Sequence, residues 1–175
     1  PDLIEYVDGK IESSPDVRLI AGDSSEESIV DSVRVALWDM GCEHAHLLIL
    51  HPPYWDIIRF SEDDSDLSNA ESLEDFLASF KKVAENGYKL LQSGRFAGLV
   101  IGDKYSNGEL MPLGFYCMQV MKDAGFRLKS IVVKNIEGNE RGKGRNTNLW
   151  RYRALAGGFY IFKHEYVMIF QKPCG

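Results

Sequence analysis

The residues best suited to chemistry in this sequence are His51-Pro52-Pro53-Tyr54, which directly follow an apolar run at 47–50. The apolar run predicts a buried strand. Pro52 fixes its own φ and restricts His51, so the turn after the strand is rigid and its carbonyl groups point in set directions. Open α/β sheets bind ligands at the carboxyl ends of their strands. We therefore predict a functional site here, with fixed hydrogen-bond acceptors and the aromatic ring of Tyr54.

The segments around this turn alternate between strands and helices. Apolar runs predict strands at 17–21, 47–50, 96–101, 127–134 and 166–170. Apolar periodicity predicts helices at 25–40, 72–92 and 112–124, with Ser24 or Ser25 as the cap of the first and Ser72 as the cap of the second. The alternation predicts an α/β fold with a mainly parallel sheet. No long helix is predicted between the last two strands, so we expect that pair to be antiparallel.

Composition favours an intracellular globular domain. The chain has 175 residues and is 45% hydrophobic, which suits a single domain with its own core. No apolar run approaches the roughly 20 residues that a membrane span needs, and no signal peptide is predicted. The three cysteines show no paired spacing, which favours a cytoplasmic protein. His44 and His46 lack a cysteine cluster, so we interpret them as turn residues and predict no metal site.

The net charge of −6 conceals two opposite local excesses. Between Glu62 and Asp75 there are seven acidic residues and no basic one, whereas between Arg127 and Lys163 there are nine basic and two acidic residues. The net charge argues weakly against a nucleic-acid partner. A local basic excess of this size can nevertheless bind phosphate groups. From the charges alone, a solvated basic loop is an equally good interpretation.

The Pro-Pro-Tyr turn resembles the (Asp/Asn/Ser)-Pro-Pro-(Tyr/Phe/Trp) motif of the DNA amino-methyltransferases that use S-adenosylmethionine, although His51 occupies the first position. Asp66-Leu67-Ser68, Val100-Ile101-Gly102-Asp103 and His164-Glu165-Tyr166 are also similar to segments common in that family. This ordered set covers most of residues 17–172. The resemblance implies one methyltransferase catalytic domain over residues 1–175. Its fold would be a Rossmann-like class I sheet with helices on both faces and an antiparallel terminal strand pair.

The resemblance also implies an activity, which is methylation of adenine N6 or cytosine N4 in DNA, as in restriction–modification systems. The implied cofactor is S-adenosyl-L-methionine, the implied partner is DNA, and the target base is flipped out of the duplex. An exocyclic amine is a poor nucleophile because its lone pair is delocalised into the ring. Hydrogen-bond acceptors near the amine hydrogens favour an sp³-like nitrogen aimed at the methyl group.

The family's catalytic positions correspond here to His51, Pro52, Pro53 and Tyr54. The acceptors would be the His51 side chain and the Pro52 carbonyl, and neutral imidazole offers one acceptor nitrogen. The His51 carbonyl is an alternative acceptor. Tyr54 would stack on the target base, and Trp55 would either widen that platform or pack against a helix.

Other positions correspond to cofactor and pocket residues of the family. Asp23 and Ser24 match a position that touches the adenine end of the cofactor, and His51 is expected beside the cofactor. An ordinary helix cap is the alternative for Asp23 and Ser24. Asp103 would line the substrate pocket or, alternatively, serve as a turn residue bonded to the backbone.

The candidate target-recognition loop at 135–163 combines guanidinium groups with aromatic rings. Arg151, Tyr152 and Arg153 are the residues that we expect to contact DNA. Arginines bind phosphate groups, and interleaved aromatic rings stack on bases.

The family's aromatic-x-Gly-x-Gly cofactor turn is not found in this sequence, in which Gly142-Lys143-Gly144 of the basic loop is the only similar string. Such a turn lets the backbone approach the cofactor closely. The first two strands of the family's sheet, which lie between its third and fourth, are not predicted either. We therefore expect a carboxy-terminal portion of a methyltransferase, completed by an upstream amino-terminal segment or by a second chain.

Three other functions are compatible with the same motif. Similar Pro-Pro-Tyr turns occur in enzymes that methylate guanine N2 in RNA or a protein glutamine amide. The basic loop favours nucleic acid over a protein glutamine. A non-catalytic, methyltransferase-like DNA-binding subunit, in which His51 marks a lost site, is the alternative from another class. Binding of S-adenosylmethionine distinguishes that subunit from the enzymes.

Overall fold

The computed structural model describes residues 17–135, 155–158 and 163–174. Its strands are β1 (Ala45–Leu50), β2 (Leu91–Ile101), β3 (Lys104–Ser106), β4 (Glu109–Met111), β5 (Arg127–Asn135) and β6 (His164–Gln171). Four of them form one sheet in the order β1-β2-β6-β5, while β3 and β4 form a separate hairpin. β1 and β2 are parallel, and β6 is antiparallel to both β2 and β5. The predicted α/β fold with an antiparallel terminal strand pair is confirmed.

The helices are α1 (Glu27–Asp39), α2 (Leu73–Leu90) and α3 (Leu113–Asp123). α2 begins as the sequence predicts, because the Ser72 hydroxyl accepts a hydrogen bond from the Asp75 amide at 3.1 Å. Apolar residues at helical spacing place α2 and α3 against the sheet. The core that they form with β2 and β6 contains Phe76, Phe80, Ala84, Leu113, Cys117, Met121, Ala97, Leu99, Ile101, Met168 and Phe170.

The opposite face of the sheet is apolar but exposed in the described residues. Leu47 and Phe96 are register partners on this face, and they are 59% and 43% exposed. Ile49, two residues along β1, is 65% exposed. We predicted helices on both faces, whereas α2 and α3 pack on one face and α1 packs against α2. Sheets with parallel strands are normally covered on both faces, so this surface has the character of an interior.

Two local predictions are wrong. Residues 17–21 are not a strand, because no neighbouring strand lies beside them in the described structure to satisfy their backbone groups. The cap of α1 is Glu26 rather than Ser24 or Ser25, and its side chain makes no capping bond. The Asp23 carbonyl instead accepts the Glu26 amide at 3.1 Å and forms a turn before the helix.

The β3–β4 hairpin follows β2 and was not predicted. Its turn is Asn107-Gly108, and both residues have positive φ, at 51° and 84°. An Asn-Gly pair is the usual choice for a two-residue hairpin turn, since both positions require the left-handed region. The hairpin leads into Pro112 and α3, and it therefore extends the loop at the carboxyl end of β2.

Candidate functional site

Four strand ends meet at one edge of the sheet and bring distant segments together. β1 and β2 are parallel, so the turn after Leu50 lies beside Gly102 and Asp103. β6 runs the other way, so its amino end lies at the same edge. The carboxyl end of β5 is there too, because Lys134 is the register partner of Glu165. The predicted motif therefore faces residues that come more than a hundred positions later in the chain.

Tyr54 is held at this edge by two contacts. Its hydroxyl donates a hydrogen bond to Oε2 of Glu165 over 2.5 Å. Its ring lies against the backbone of Gly102, where an added Cβ would be 2.8 Å from Cε2 of the tyrosine. Burial, followed by the bond to Glu165, raises the pKa of the Tyr54 hydroxyl above its usual range. The hydroxyl therefore remains a donor at neutral pH.

Glu165 is a buried carboxylate that sequence reasoning did not assign to the site. Burial works to raise its pKa, but the hydrogen bonds from Lys134 and Tyr54 outweigh burial and hold that pKa below its usual range. The Lys134 ammonium donates to Oε1 over 2.6 Å. The only sequence signal was its place in the family-like His164-Glu165-Tyr166 segment. A contact between residues 111 positions apart has no local pattern to predict it.

The other predicted catalytic residues lie beside Tyr54. His51 is exposed, and its ring centroid is 6.0 Å from that of Tyr54 with the planes tilted by 49°. Pro52 and Pro53 are half-buried. Neither proline has an N–H group, so the turn has two backbone donors fewer. The exposed imidazole lies next to the aromatic ring. The catalytic roles of these residues remain predictions.

Trp55 is fixed by packing and hydrogen bonding. Its indole N–H donates to the Ala70 carbonyl at 2.9 Å, and its backbone has a φ of +51°. The ammonium group of Lys104 lies 4.1 Å from the centroid of its ring and also bonds the Asp56 carboxylate. These contacts favour the packing alternative for Trp55. A base-stacking role for it remains a prediction.

Asp103 has protein partners on both carboxylate oxygens. Oδ1 accepts the Gly114 amide at 2.9 Å, and Oδ2 accepts the Tyr166 hydroxyl at 2.9 Å. Burial, together with this bond, raises the pKa of Tyr166 to about 12. Asp103 thus ties the amino end of α3 to β6. This arrangement favours its structural alternative, and a substrate contact remains a prediction.

Asp23 and Ser24 form a turn whose backbone is hydrogen-bonded by a buried asparagine. Oδ1 of Asp23 accepts the Ser25 amide at 2.8 Å. The Asn86 side chain, on α2, donates to the carbonyls of Ser24 and Glu26 at 3.1 and 3.0 Å. Asn86 was not assigned in the sequence, where a lone asparagine on a helix gives no signal. The cofactor role of Asp23 and Ser24 remains a prediction.

Several predictions lie outside the described residues. Arg151, Tyr152 and Arg153 are among them, as is most of the 135–163 loop. Within the described ranges, no helix is long and apolar enough to cross a membrane. The same ranges contain no group of three or more histidine, cysteine, aspartate or glutamate side chains placed to hold a metal ion.

Comparisons with known proteins agree with the family resemblance. No protein-family profile matches the chain. It is 28% identical over 98 residues to the type II methyltransferase M.SfiI of Streptomyces fimbriatus, covering 56% of this chain and 21% of that protein. Structures of a Thermus thermophilus protein that is proposed to be a DNA modification methylase are similar in fold. One has a TM-score of 0.55 and 20% identity, covering 88% of this chain. Another, complexed with S-adenosyl-L-methionine, has a TM-score of 0.56 and 18% identity, covering 89% of this chain.

The chain spans about half the length of these structures, 52% of the first and 55% of the second. At these identities the structural likeness establishes the α/β methyltransferase-type fold.

Proposed function

We propose that this chain carries the catalytic part of a DNA amino-methyltransferase that acts on adenine N6 or cytosine N4. The observation that carries the proposal is the Pro-Pro-Tyr turn at the carboxyl end of β1, with the Tyr54 ring fixed by Glu165 and Gly102. A fixed aromatic ring beside directed carbonyl groups is suited to holding a planar base whose amine must be oriented. Flipping the base out of the duplex would bring it to this edge.

The roles of the turn residues follow from the chemistry of the amine. Carbonyl and imidazole acceptors, on Pro52 and His51, would bond the amine hydrogens and turn the nitrogen lone pair out of conjugation. Neutral His51 accepts through one ring nitrogen only, so the Pro52 carbonyl is the more robust acceptor. The Tyr54 ring would limit the base to one plane. His51 is exposed, and its imidazole would pass the released amine proton to water.

S-adenosyl-L-methionine would supply an electrophilic methyl group on a sulfonium sulfur, and it would leave as the neutral thioether while the methylated amine gives up a proton. Among the described residues, the Asp23 turn has polar groups that suit one part of that cofactor. The Asp23 turn offers a carboxylate and the Ser24 hydroxyl, and the bond to Ser25 uses only Oδ1 of Asp23. A carboxylate suits the ribose hydroxyls or adenine amine of such a cofactor. His51 would lie near its reactive end.

A further polypeptide segment would complete the cofactor site by adding to the free edge of β1. This proposal is supported by the absence of a partner on that edge in the described residues and by the exposed Leu47 and Ile49. The segment would bring the glycine-rich turn and cover the open sheet face. Its origin, upstream in the same polypeptide or in a second chain, is an outcome of the test.

Hydrogen exchange on the complete protein tests this completion. Alternate amides of β1 point away from β2, so they exchange quickly if the edge is free. If the added segment pairs with β1, we expect these amides to be protected from exchange as strongly as the amides of residues 97–101. Fast exchange at alternate positions of β1 would contradict the proposed added segment.

Transfer of a tritiated methyl group from S-adenosylmethionine to duplex DNA tests the proposed activity. The protein is assayed with any polypeptide that co-purifies with it, and the product is digested to nucleosides. Label in N6-methyladenosine or N4-methylcytosine supports the proposal and identifies the base. A parallel assay with RNA in place of DNA tests the RNA enzyme, which label in N2-methylguanosine, without label in DNA, would favour. Failure to bind the cofactor would favour the non-catalytic DNA-binding subunit.

Tyr54→Ala is the matching variant. Transfer should fall about 10- to 100-fold, because stacking on a base contributes about 1–3 kcal/mol. Tyr116→Ala, an exposed tyrosine on α3, is the control and should retain wild-type transfer. Unchanged transfer in Tyr54→Ala would remove this residue from the mechanism.

A further inference from the structure

Glu165 is a buried side chain whose two carboxylate oxygens both have partners. The residue is 7% exposed. Oε2 accepts the Tyr54 hydroxyl at 2.5 Å and Oε1 accepts the Lys134 ammonium at 2.6 Å. Burial of a carboxylate is unfavourable unless it is paired and hydrogen-bonded. The two bonds offset that cost, and they link the terminal strand pair to the turn after β1.

The bond to Glu165 completes the restraint on the Tyr54 ring. Contact with Gly102 limits the ring on one side, since only 2.8 Å separates its Cε2 from the position of an added Cβ. The hydroxyl, at the far end of the ring, is anchored to Oε2. A ring held at both places is ordered before a ligand arrives, so binding does not have to bear the entropic cost of ordering it.

A second tyrosine–carboxylate pair at the same edge has a different set of contacts. Asp103 accepts the Tyr166 hydroxyl and, through its other oxygen, the Gly114 amide of α3. That pair joins a strand to a helix. The second partner of Glu165 is instead Lys134, whose side chain is largely exposed. Glu165 therefore connects the motif turn to the surface of β5 and does not secure a helix.

We propose that Glu165 is a positioning residue that holds the Tyr54 ring in the orientation required to stack on the target base, with Lys134 fixing the Glu165 carboxylate. This inference rests on the proposed function, because it requires Tyr54 to contact the base. Glu165 acts through Tyr54 and bonds neither base nor cofactor itself. A residue of β6, Glu165, thus sets the position of the Tyr54 ring.

Steady-state kinetics with duplex DNA test this role in four proteins: wild type, Tyr54→Phe, Glu165→Gln and the double variant. Each single variant should raise the KM for DNA about tenfold, because Tyr54→Phe removes the hydrogen bond and Glu165→Gln removes the charge of its acceptor. The value of kcat should change less. The double variant should be no worse than the more affected single variant, since both substitutions act on the same bond. Glu85→Gln, an exposed glutamate of α2, is the control and should match wild type.

Three results would overturn the role of Glu165. They are wild-type kinetics in Glu165→Gln, wild-type kinetics in Tyr54→Phe, and multiplicative effects in the double variant. Tyr54→Phe breaks the bond without altering the buried carboxylate, so it decides the question even if Glu165→Gln does not fold. Absence of methyl transfer by the wild-type protein is a separate outcome, which overturns the proposed function itself.

Discussion

The ammonium group of Lys104 lies over the ring of Trp55, 4.1 Å from its centroid. Lys104 is only 7% exposed, and it also bonds the carboxylate of Asp56. The left-handed φ of Trp55 is unfavourable for a bulky residue, so its surroundings must stabilise it. A buried cation at the start of β3 thereby helps to fix the turn that follows the Pro-Pro-Tyr motif.

Asp56→Ala should destabilise the protein by about 2 kcal/mol, because it leaves the Lys104 ammonium buried without its carboxylate. The Lys104 ammonium cannot regain full hydration in this variant, because only 7% of the residue is exposed to solvent. The loss should appear as a lower midpoint in urea with an unchanged m value. Asp64→Ala, an exposed residue of the next loop, is the control and should leave the midpoint unchanged. Equal midpoints for the two variants would contradict this account of Lys104.

Gly102→Ala should displace the Tyr54 ring and lower methyl transfer. The added Cβ would lie 2.8 Å from Cε2 of a ring that Glu165 prevents from moving away. We expect transfer to fall about 10- to 100-fold, because small misplacements at a reacting centre cost about that much. Gly98→Ala on the same strand is the matched control, since its Cβ would meet no atom of the described residues within 4 Å. Wild-type transfer in Gly102→Ala would show that the ring position does not matter.

The sequence predicted the sheet edge more accurately than the contacts within it. The apolar run before His51 and the rigid prolines located the Pro-Pro-Tyr turn because both signals are local. Asp103 was located at the end of β2 for the same reason. The hydrogen bond between Asp103 and Tyr166 joins residues 63 positions apart. No local sequence pattern could therefore reveal that both carboxylate oxygens of Asp103 accept hydrogen bonds from the protein. The missed hairpin is different, since Asn107-Gly108 carried a local signal for it.

Residues 17–21 illustrate the opposite limitation. Their apolar composition favours a strand, but a strand exists only when a neighbour satisfies its backbone groups. Nothing in a single segment says whether that neighbour is present. In the described residues β1 likewise has a strand on one edge only, and its side chains Leu47 and Ile49 lie on an uncovered face of the sheet. Local patterns therefore predicted β1 itself but not what lies beside it.

The contribution of Glu165 to the free energy of unfolding should be lost at acidic pH. Burial opposes ionisation, but the bonds from Lys134 and Tyr54 hold the pKa of Glu165 below its ordinary value of 4.5. A carboxyl with a lowered folded-state pKa stabilises the fold above its unfolded pKa, and this contribution is lost as pH falls through the folded pKa. The difference in unfolding free energy between wild type and Glu165→Gln should therefore shrink as pH falls below 4.5.

Urea denaturation of the two proteins across that pH range measures this difference. Glu85→Gln provides the correction for general acid effects, because Glu85 is exposed and its ion pair with Lys81 is a surface pair. A difference between wild type and Glu165→Gln that stays constant from neutral pH down to full protonation would show that Glu165 is not held ionised by its partners.

Asn86→Ala should weaken binding of S-adenosylmethionine by the complete protein about 5- to 10-fold, because it removes two hydrogen bonds that hold the Asp23 turn. The lost bonds run to the carbonyls of Ser24 and Glu26, so the turn would move while its own side chains stay intact. Isothermal titration calorimetry gives the dissociation constant. Gln119→Ala, which removes an exposed side-chain amide from α3, is the control and should leave the dissociation constant unchanged. If Asn86→Ala bound the cofactor as tightly as wild type, the position of this turn would not matter for the cofactor site, and the proposed role of Asp23 would lose its structural basis.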